Sequence, residues 1–164
     1  MSSSLIINPK SPEIGRVYKS LSCIDAKYKY LNIQNRSFKM TNKKAKVLIV
    51  DDDKMVGEDL SDDLSMSGKY EPLIADSGNK AIEEYESNRD LGLVILDTDL
   101  GPVEKGWQVY DRLREAGYQG PALARSGRDE TPEWKTRSVQ FLSKTAKREE
   151  LGKVVNSLIE NYAQ

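Results

Sequence analysis

Three separated stretches of this chain end in residues that could share one site: Val47-Leu48-Ile49-Val50-Asp51-Asp52, Leu93-Val94-Ile95-Leu96-Asp97 and Phe141-Leu142-Ser143-Lys144. Each begins as a short apolar run of the kind that forms a buried parallel strand, and each turns charged where such a strand leaves its sheet. Three carboxylates and one ammonium then meet at the carboxyl edge of an open α/β sheet, the edge at which ligands bind. Carboxylate oxygens are hard ligands suited to Mg²⁺, and an ammonium beside them neutralises the oxygens of an incoming anion.

The chain contains no histidine. That removes Ser/His/Asp and Cys/His catalysis, His-ligated zinc, and any phosphohistidine formed on this polypeptide. A phosphoryl group carried on histidine must come from another protein. The lone Cys23 allows neither an internal disulfide nor a cysteine-held metal, which points to a reducing compartment.

To bring the charged residues together, strands and helices must alternate from residue 46 onward. Residues 46–50 read as a first strand, followed by a helix with Met55, Val56, Leu60 and Leu64 on one face and Gly68 as its stop. Residues 72–75 form a short second strand; Asp76 or Ser77 caps the next helix, whose inner face is Ala81, Ile82 and Tyr85. Residues 93–96 are the strongest strand, broken by Gly101-Pro102; Trp107, Val109, Tyr110 and Leu113 mark a third helix ended by Gly117. Residues 121–124 read as strand four, Thr131-Pro132-Glu133 as the start of a fourth helix, and 140–143 as strand five. Leu151, Val154, Val155, Leu158, Ile159 and Tyr162 make an amphipathic last helix. Five strand–helix repeats of this kind imply an α/β fold, with a parallel sheet, right-handed crossovers and helices on both faces.

At 164 residues and a mean hydropathy of −0.62, the chain can bury one sizeable core and carry an extension. Residues 1–44 hold nine Lys and Arg against Glu13 and Asp25, a local charge of +7 that leaves −8 on the remainder. A basic arm on an acidic body can meet nucleic acid, an acidic partner or the body itself, or remain a solvated tail. Within it, residues 5–7 and 28–33 read as short strands and Pro12-Glu13-Ile14 as a helix start. Met1-Ser2-Ser3-Ser4-Leu5 has no signal-peptide pattern and no apolar run approaches bilayer length, so a cytoplasmic location is expected.

From about residue 45 to 163, the chain resembles the receiver domain of two-component response regulators. The family's ordered motif is an acid pair after strand one, an aspartate after strand three, a Ser/Thr and a small residue after strand four, and a lysine after strand five. Asp51 and Asp52, Asp97, Ser126-Gly127 and Lys144 fill those positions in that order. The resemblance implies a flavodoxin-like (βα)5 sheet of strand order 2-1-3-4-5 in residues 45–164, behind a basic extension over 1–44. It implies that Asp97 accepts a phosphoryl group with Mg²⁺ as cofactor, bound by Asp52, Asp97 and the backbone carbonyl of Asp99, with Asp51 binding it through water or orienting the site. Lys144 and Ser126 would contact the phosphoryl oxygens, and Ser126 and Phe141 would form the switch.

The implied protein is a stand-alone signalling switch with no DNA-binding domain and no classical enzyme activity. Its donor would be a sensor histidine kinase or histidine phosphotransferase. Its downstream protein target would meet the face of the fourth helix, fifth strand and last helix, with Trp134 and Tyr162 as candidate contacts; a homodimer is a further assembly open to it. Departures from the family pattern are the proline displaced by one in Asp97-Thr98-Asp99-Leu100-Gly101-Pro102, and Thr145 where proline commonly follows the lysine. Arg128 and Asp99 flank the expected phosphate position and have the charges to pair.

Taken singly, each feature has an ordinary explanation. Asp51-Asp52-Asp53 can cap a helix, Asp97 can be a turn residue, Lys144 a solvated lysine and Phe141 core packing. Two further readings share the residues: a receiver-fold interaction module that phosphorylation does not regulate, and a haloacid dehalogenase-like aspartyl phosphatase. In the latter family the acid pair follows the lysine, whereas here it comes first.

Overall fold

Alternating apolar runs become alternating strands and helices in the computed structural model, which describes residues 43–127, 134 and 137–162. The strands are β1 (Ala45–Val50), β2 (Tyr70–Ala75), β3 (Leu91–Asp97), β4 (Ala122–Ser126) and β5 (Gln140–Ser143). Helices α1 (Lys54–Ser65), α2 (Gly78–Ser87), α3 (Gly106–Glu115) and α4 (Arg148–Tyr162) pack on them. All four strand pairings are parallel and the order is β2-β1-β3-β4-β5, as the resemblance implies.

Strand alternation divides the core into two layers. Leu48, Val50, Val94, Leu96 and Ala124 face α2 and α3 through Ala81, Tyr85, Val109 and Leu113. Val47, Ile49, Leu93, Ile95, Leu123 and Leu142 face α1 and α4 through Leu60, Leu64, Leu151 and Val155. Both faces of the central strands are therefore dry, which is why these runs carry no polar residue until their carboxyl ends.

Several expectations need correction. Met55 is 74% exposed, so the inner face of α1 is Leu60 and Leu64. Five residues separate Met55 from Leu60, about 140° around a helix, which turns it to solvent. Strand β2 begins two residues before the expected start, and Pro72 pairs with Val47 inside it. Proline is tolerated because β2 is an edge strand with one ladder only. Ser77 is the N-cap of α2 but makes no capping bond with its side chain; its hydroxyl donates to Asp76 instead. Trp134 is 1% exposed, which withdraws it from any contact surface, whereas Tyr162 is 54% exposed. The expected start of a helix at 131–133, Arg128 and the readings within 1–42 lie outside the described residues. No cis peptide occurs among those described, Lys144–Thr145 included.

Candidate functional site

Each site residue is delivered by the end of a strand. Asp51 follows β1, Asp97 ends β3, Ser126 ends β4 and Lys144 follows β5. Ladder hydrogen bonds run on past the strands: Asp51 N–H donates to Ala75 O (3.2 Å), Thr98 N–H to Arg125 O (3.0 Å) and Lys144 N–H to Ser126 O (2.8 Å). Side chains at the site thus sit on backbone that the sheet itself holds, a firmer platform than a free loop.

Lys144 Nζ lies 2.8 Å from an Asp97 oxygen and 3.0 Å from an Asp51 oxygen, with both aspartates buried. Carboxylate oxygens of Asp51, Asp52 and Asp97 all lie within 4.8 Å of one another, an oxygen set that fits one hard divalent cation. Burial pushes the Asp97 carboxyl above its ordinary value, and the Asp51 charge adds to this against the lowering pull of Lys144. Burial also works against the charge on Lys144, but its hydrogen bonds to Asp97 and Asp51 outweigh it and hold its pKa raised. A carboxylate made more basic by burial faces an ammonium that stays protonated.

The three consecutive acids divide their work. Asp53 caps α1, accepting from the Met55 N–H at 3.0 Å and the Val56 N–H at 3.4 Å. Asp51 accepts from the Asp53 N–H (3.1 Å), and Asp52 is exposed at the rim of the acid cluster. Beyond β3, the Asp99 N–H donates to Asp97 (3.3 Å), while the Asp99 carboxylate pairs with Lys105. Lys105 also donates to the Gly101 carbonyl (2.9 Å), tying the two ends of the loop together. Asp97, Thr98, Asp99, Ser126, Gly127 and Lys144 line a cleft of about 270 Å³. A larger cavity of about 530 Å³ opens by Pro121, Gln140 and Tyr162, without an acid in its lining.

Gly106 is required by close approach. A Cβ there would lie 1.9 Å from the Asp97 carbonyl oxygen and 3.2 Å from the Trp134 ring. The same ring packs edge-on against Phe141 (centroids 5.6 Å apart, 84° between planes) and obliquely against Tyr110 (6.3 Å). Phe141, expected at the switch, is therefore joined through buried Trp134 to the backbone behind Asp97.

Sequence reading overlooked Arg125. It is 8% exposed, precedes Ser126 in β4, and donates from Nη2 to the Lys144 carbonyl at 3.0 Å. Its signal in the sequence is an arginine inside Ala-Leu-Ala-Arg-Ser, one residue past the expected end of strand four.

A doubly wound parallel sheet with an acid cluster and a lysine at its carboxyl edge is the architecture of a phosphoacceptor signalling domain. Residues 47–156 match the family model of the response regulator receiver domain, and the chain belongs to that family. Response regulator MprA of Mycolicibacterium vanbaalenii is 35% identical over 88 residues, 54% of this chain and 37% of that protein. The chain thus matches little more than a third of this curated relative. Among solved structures, chemotaxis protein CheY4 of Vibrio cholerae is 26% identical with a TM-score of 0.62, covering 71% of this chain and 99% of that one. The receiver domain of the putative response regulator NarL from Mycobacterium tuberculosis is 26% identical with a TM-score of 0.63, over 72% and 98%. Receiver domains are signalling switches of two-component systems, and the aspartyl phosphatase reading is set aside. Among the described residues, no helix is long and apolar enough to cross a membrane.

Proposed function

We propose that residues 45–164 are a phosphoaccepting switch in which Asp97 takes a phosphoryl group from a phosphohistidine on another protein. The observation that carries this reading is the double ion pair of Lys144 with Asp97 and Asp51 beside a third carboxylate. One oxygen of Asp97 attacks phosphorus, the P–N bond of the donor breaks, and its electron pair returns to the imidazole nitrogen. Asp97 must be ionised to attack, and the ammonium of Lys144 favours that form against the cost of burial. Lys144 then turns from the Asp97 carboxylate to the phosphoryl oxygens, and the Ser126 hydroxyl donates to one of them.

Asp51, Asp52 and Asp97, with the Asp99 carbonyl, would hold Mg²⁺, whose bound charge offsets the repulsion between an anionic nucleophile and an anionic phosphoryl group. Phosphorylated Asp97 carries close to two negative charges in place of one, together with three phosphoryl oxygens that accept hydrogen bonds, enough to draw Ser126 and its strand end inward. Phe141 follows, since Trp134 packs against both Phe141 and the Gly106 turn. The readout is altered binding of a protein target at the β5 and α4 face, where Tyr162 is available. The role is that of a cytoplasmic protein switch, with residues 1–44 as a separate basic extension.

Incubation with a histidine phosphotransferase domain carrying labelled phosphohistidine tests the donor. Label is expected to move to this chain in the presence of Mg²⁺, as a base-labile acyl phosphate. Label that stays on donors of several unrelated systems would favour the interaction module that phosphorylation does not regulate.

A further inference from the structure

Arg125 is placed where the core wants an apolar side chain. It follows Leu123 by two residues in β4 and so faces the same layer as Leu123 and Leu142, towards α1 and α4. Its strand is buried throughout, and Arg125 itself is 8% exposed. A guanidinium in such a position normally has two of its five N–H donors matched by a carboxylate fork and the others by further acceptors. Here Nη2 donates to the Lys144 carbonyl and Nε has no hydrogen-bond partner. A buried arginine with an orphaned donor is a poor structural solution, because an incompletely satisfied polar group is worse than an apolar one. Packing alone does not account for an arginine here, which leaves room for a second role.

That role follows from what surrounds it. The group Arg125 holds is the peptide of Lys144, the residue whose ammonium lies 2.8 Å from Asp97. Arg125 pairs in the ladder with Asp97 itself, and its neighbour Ser126 pairs with Ser143. Burial lowers the pKa of Arg125, and the nearby charges of Asp51, Asp97 and Asp63 offset that only in part. Asp51, Asp52 and Asp97 bring three negative charges to the site; Lys144 brings one positive charge and Arg125 adds a second from beneath the sheet edge.

We propose that Arg125 is a positioning residue of the phosphoryl-transfer site, fixing the Lys144 turn through its carbonyl and adding a buried positive charge that favours an anion-loaded site over a cation-loaded one. This rests on the phosphoacceptor reading above. Removing the charge strengthens cation binding, while removing the hydrogen bond loosens Lys144 and slows phosphoryl transfer. The two effects run in opposite directions, which a merely structural role does not produce.

The test compares the full chain with Arg125→Met, which removes donor and charge, and Arg125→Lys, which keeps the charge without the planar fork. Mg²⁺ affinity is measured by calorimetry, and the phosphorylation rate with acetyl phosphate at saturating Mg²⁺. Arg125→Met is expected to bind Mg²⁺ about tenfold more tightly yet to be phosphorylated about tenfold more slowly. Arg125→Lys is expected to keep the wild-type Mg²⁺ affinity and recover the rate only in part. Wild-type affinity and rate in both variants would overturn the proposal and leave the phosphoacceptor reading standing. If Arg125→Met does not fold, Arg125→Lys decides: wild-type Mg²⁺ affinity with a slowed rate supports the proposal, and an unchanged rate overturns it. A wild type that accepts no phosphoryl group would overturn the phosphoacceptor reading itself.

Discussion

Lys144 Nζ lies 2.8 Å from the Asp97 carboxylate, joining the ends of β3 and β5 across the end of β4. The same ammonium reaches Asp51 at 3.0 Å, so one cation serves two buried acids. Replacing it by Lys144→Met leaves both carboxylates without that partner, at a cost of about 1–3 kcal/mol in unfolding free energy. Because a bound divalent cation stabilises the folded state by mass action, Mg²⁺ should raise the melting temperature of the variant more than that of the wild type. Thermal denaturation with and without Mg²⁺ checks this; equal shifts would contradict it.

Acidic residues that are adjacent in sequence should separate in function. Asp53→Ala removes the cap of α1 and is expected to cost about 1 kcal/mol of stability with Mg²⁺ affinity retained. Asp52→Ala is expected to weaken Mg²⁺ by at least about tenfold with little loss of stability. Calorimetry and denaturant unfolding on the two variants measure both arms.

The raised pKa of Asp97 has a definite consequence for stability. Its folded value lies above its unfolded one, so its contribution is fully favourable below the ordinary aspartate range and is lost as pH rises through the folded value. At neutral pH the charge is carried at a cost. Asp97→Asn should therefore melt a few degrees higher than the wild type at pH 7, roughly 1 kcal/mol, with the gain shrinking as the medium is acidified. A variant that is less stable at pH 7, or a gain that does not change with pH, would contradict the assignment.

Much of the fold was legible because the central strands are dry on both faces. Runs such as Val47–Val50 and Leu93–Leu96 stay apolar until the sheet ends, and the site acids mark that end. What was not legible depended on tertiary context. Arg125 lies outside the expected strand 121–124 because a charged residue inside a strand has no local signature; the pairing with Asp97 places it in β4. The complete burial of Trp134, a candidate contact that packing could equally explain, was not legible because it depends on Tyr110 and the Gly106 turn, distant in sequence, as well as on Phe141. The start of β2 was obscured by Pro72, which only an edge strand accommodates.

The Gly106 turn offers a probe of the backbone behind the acceptor. Gly106→Ala places a methyl group against the Asp97 carbonyl and the Trp134 ring, and is expected to cost about 1–3 kcal/mol. The fluorescence of Trp134 should change with it. Wild-type stability and an unchanged spectrum would show that the turn can yield without disturbing Asp97.

The central claim is that Asp97 accepts a phosphoryl group, and intact-protein mass after incubation with acetyl phosphate and Mg²⁺ tests it most directly. The account predicts that the wild type gains the mass of one phosphoryl group, that chelation of Mg²⁺ prevents the gain, and that Asp97→Asn shows none. A wild type that stays unmodified, or an Asp97→Asn variant modified to the same extent, would contradict it.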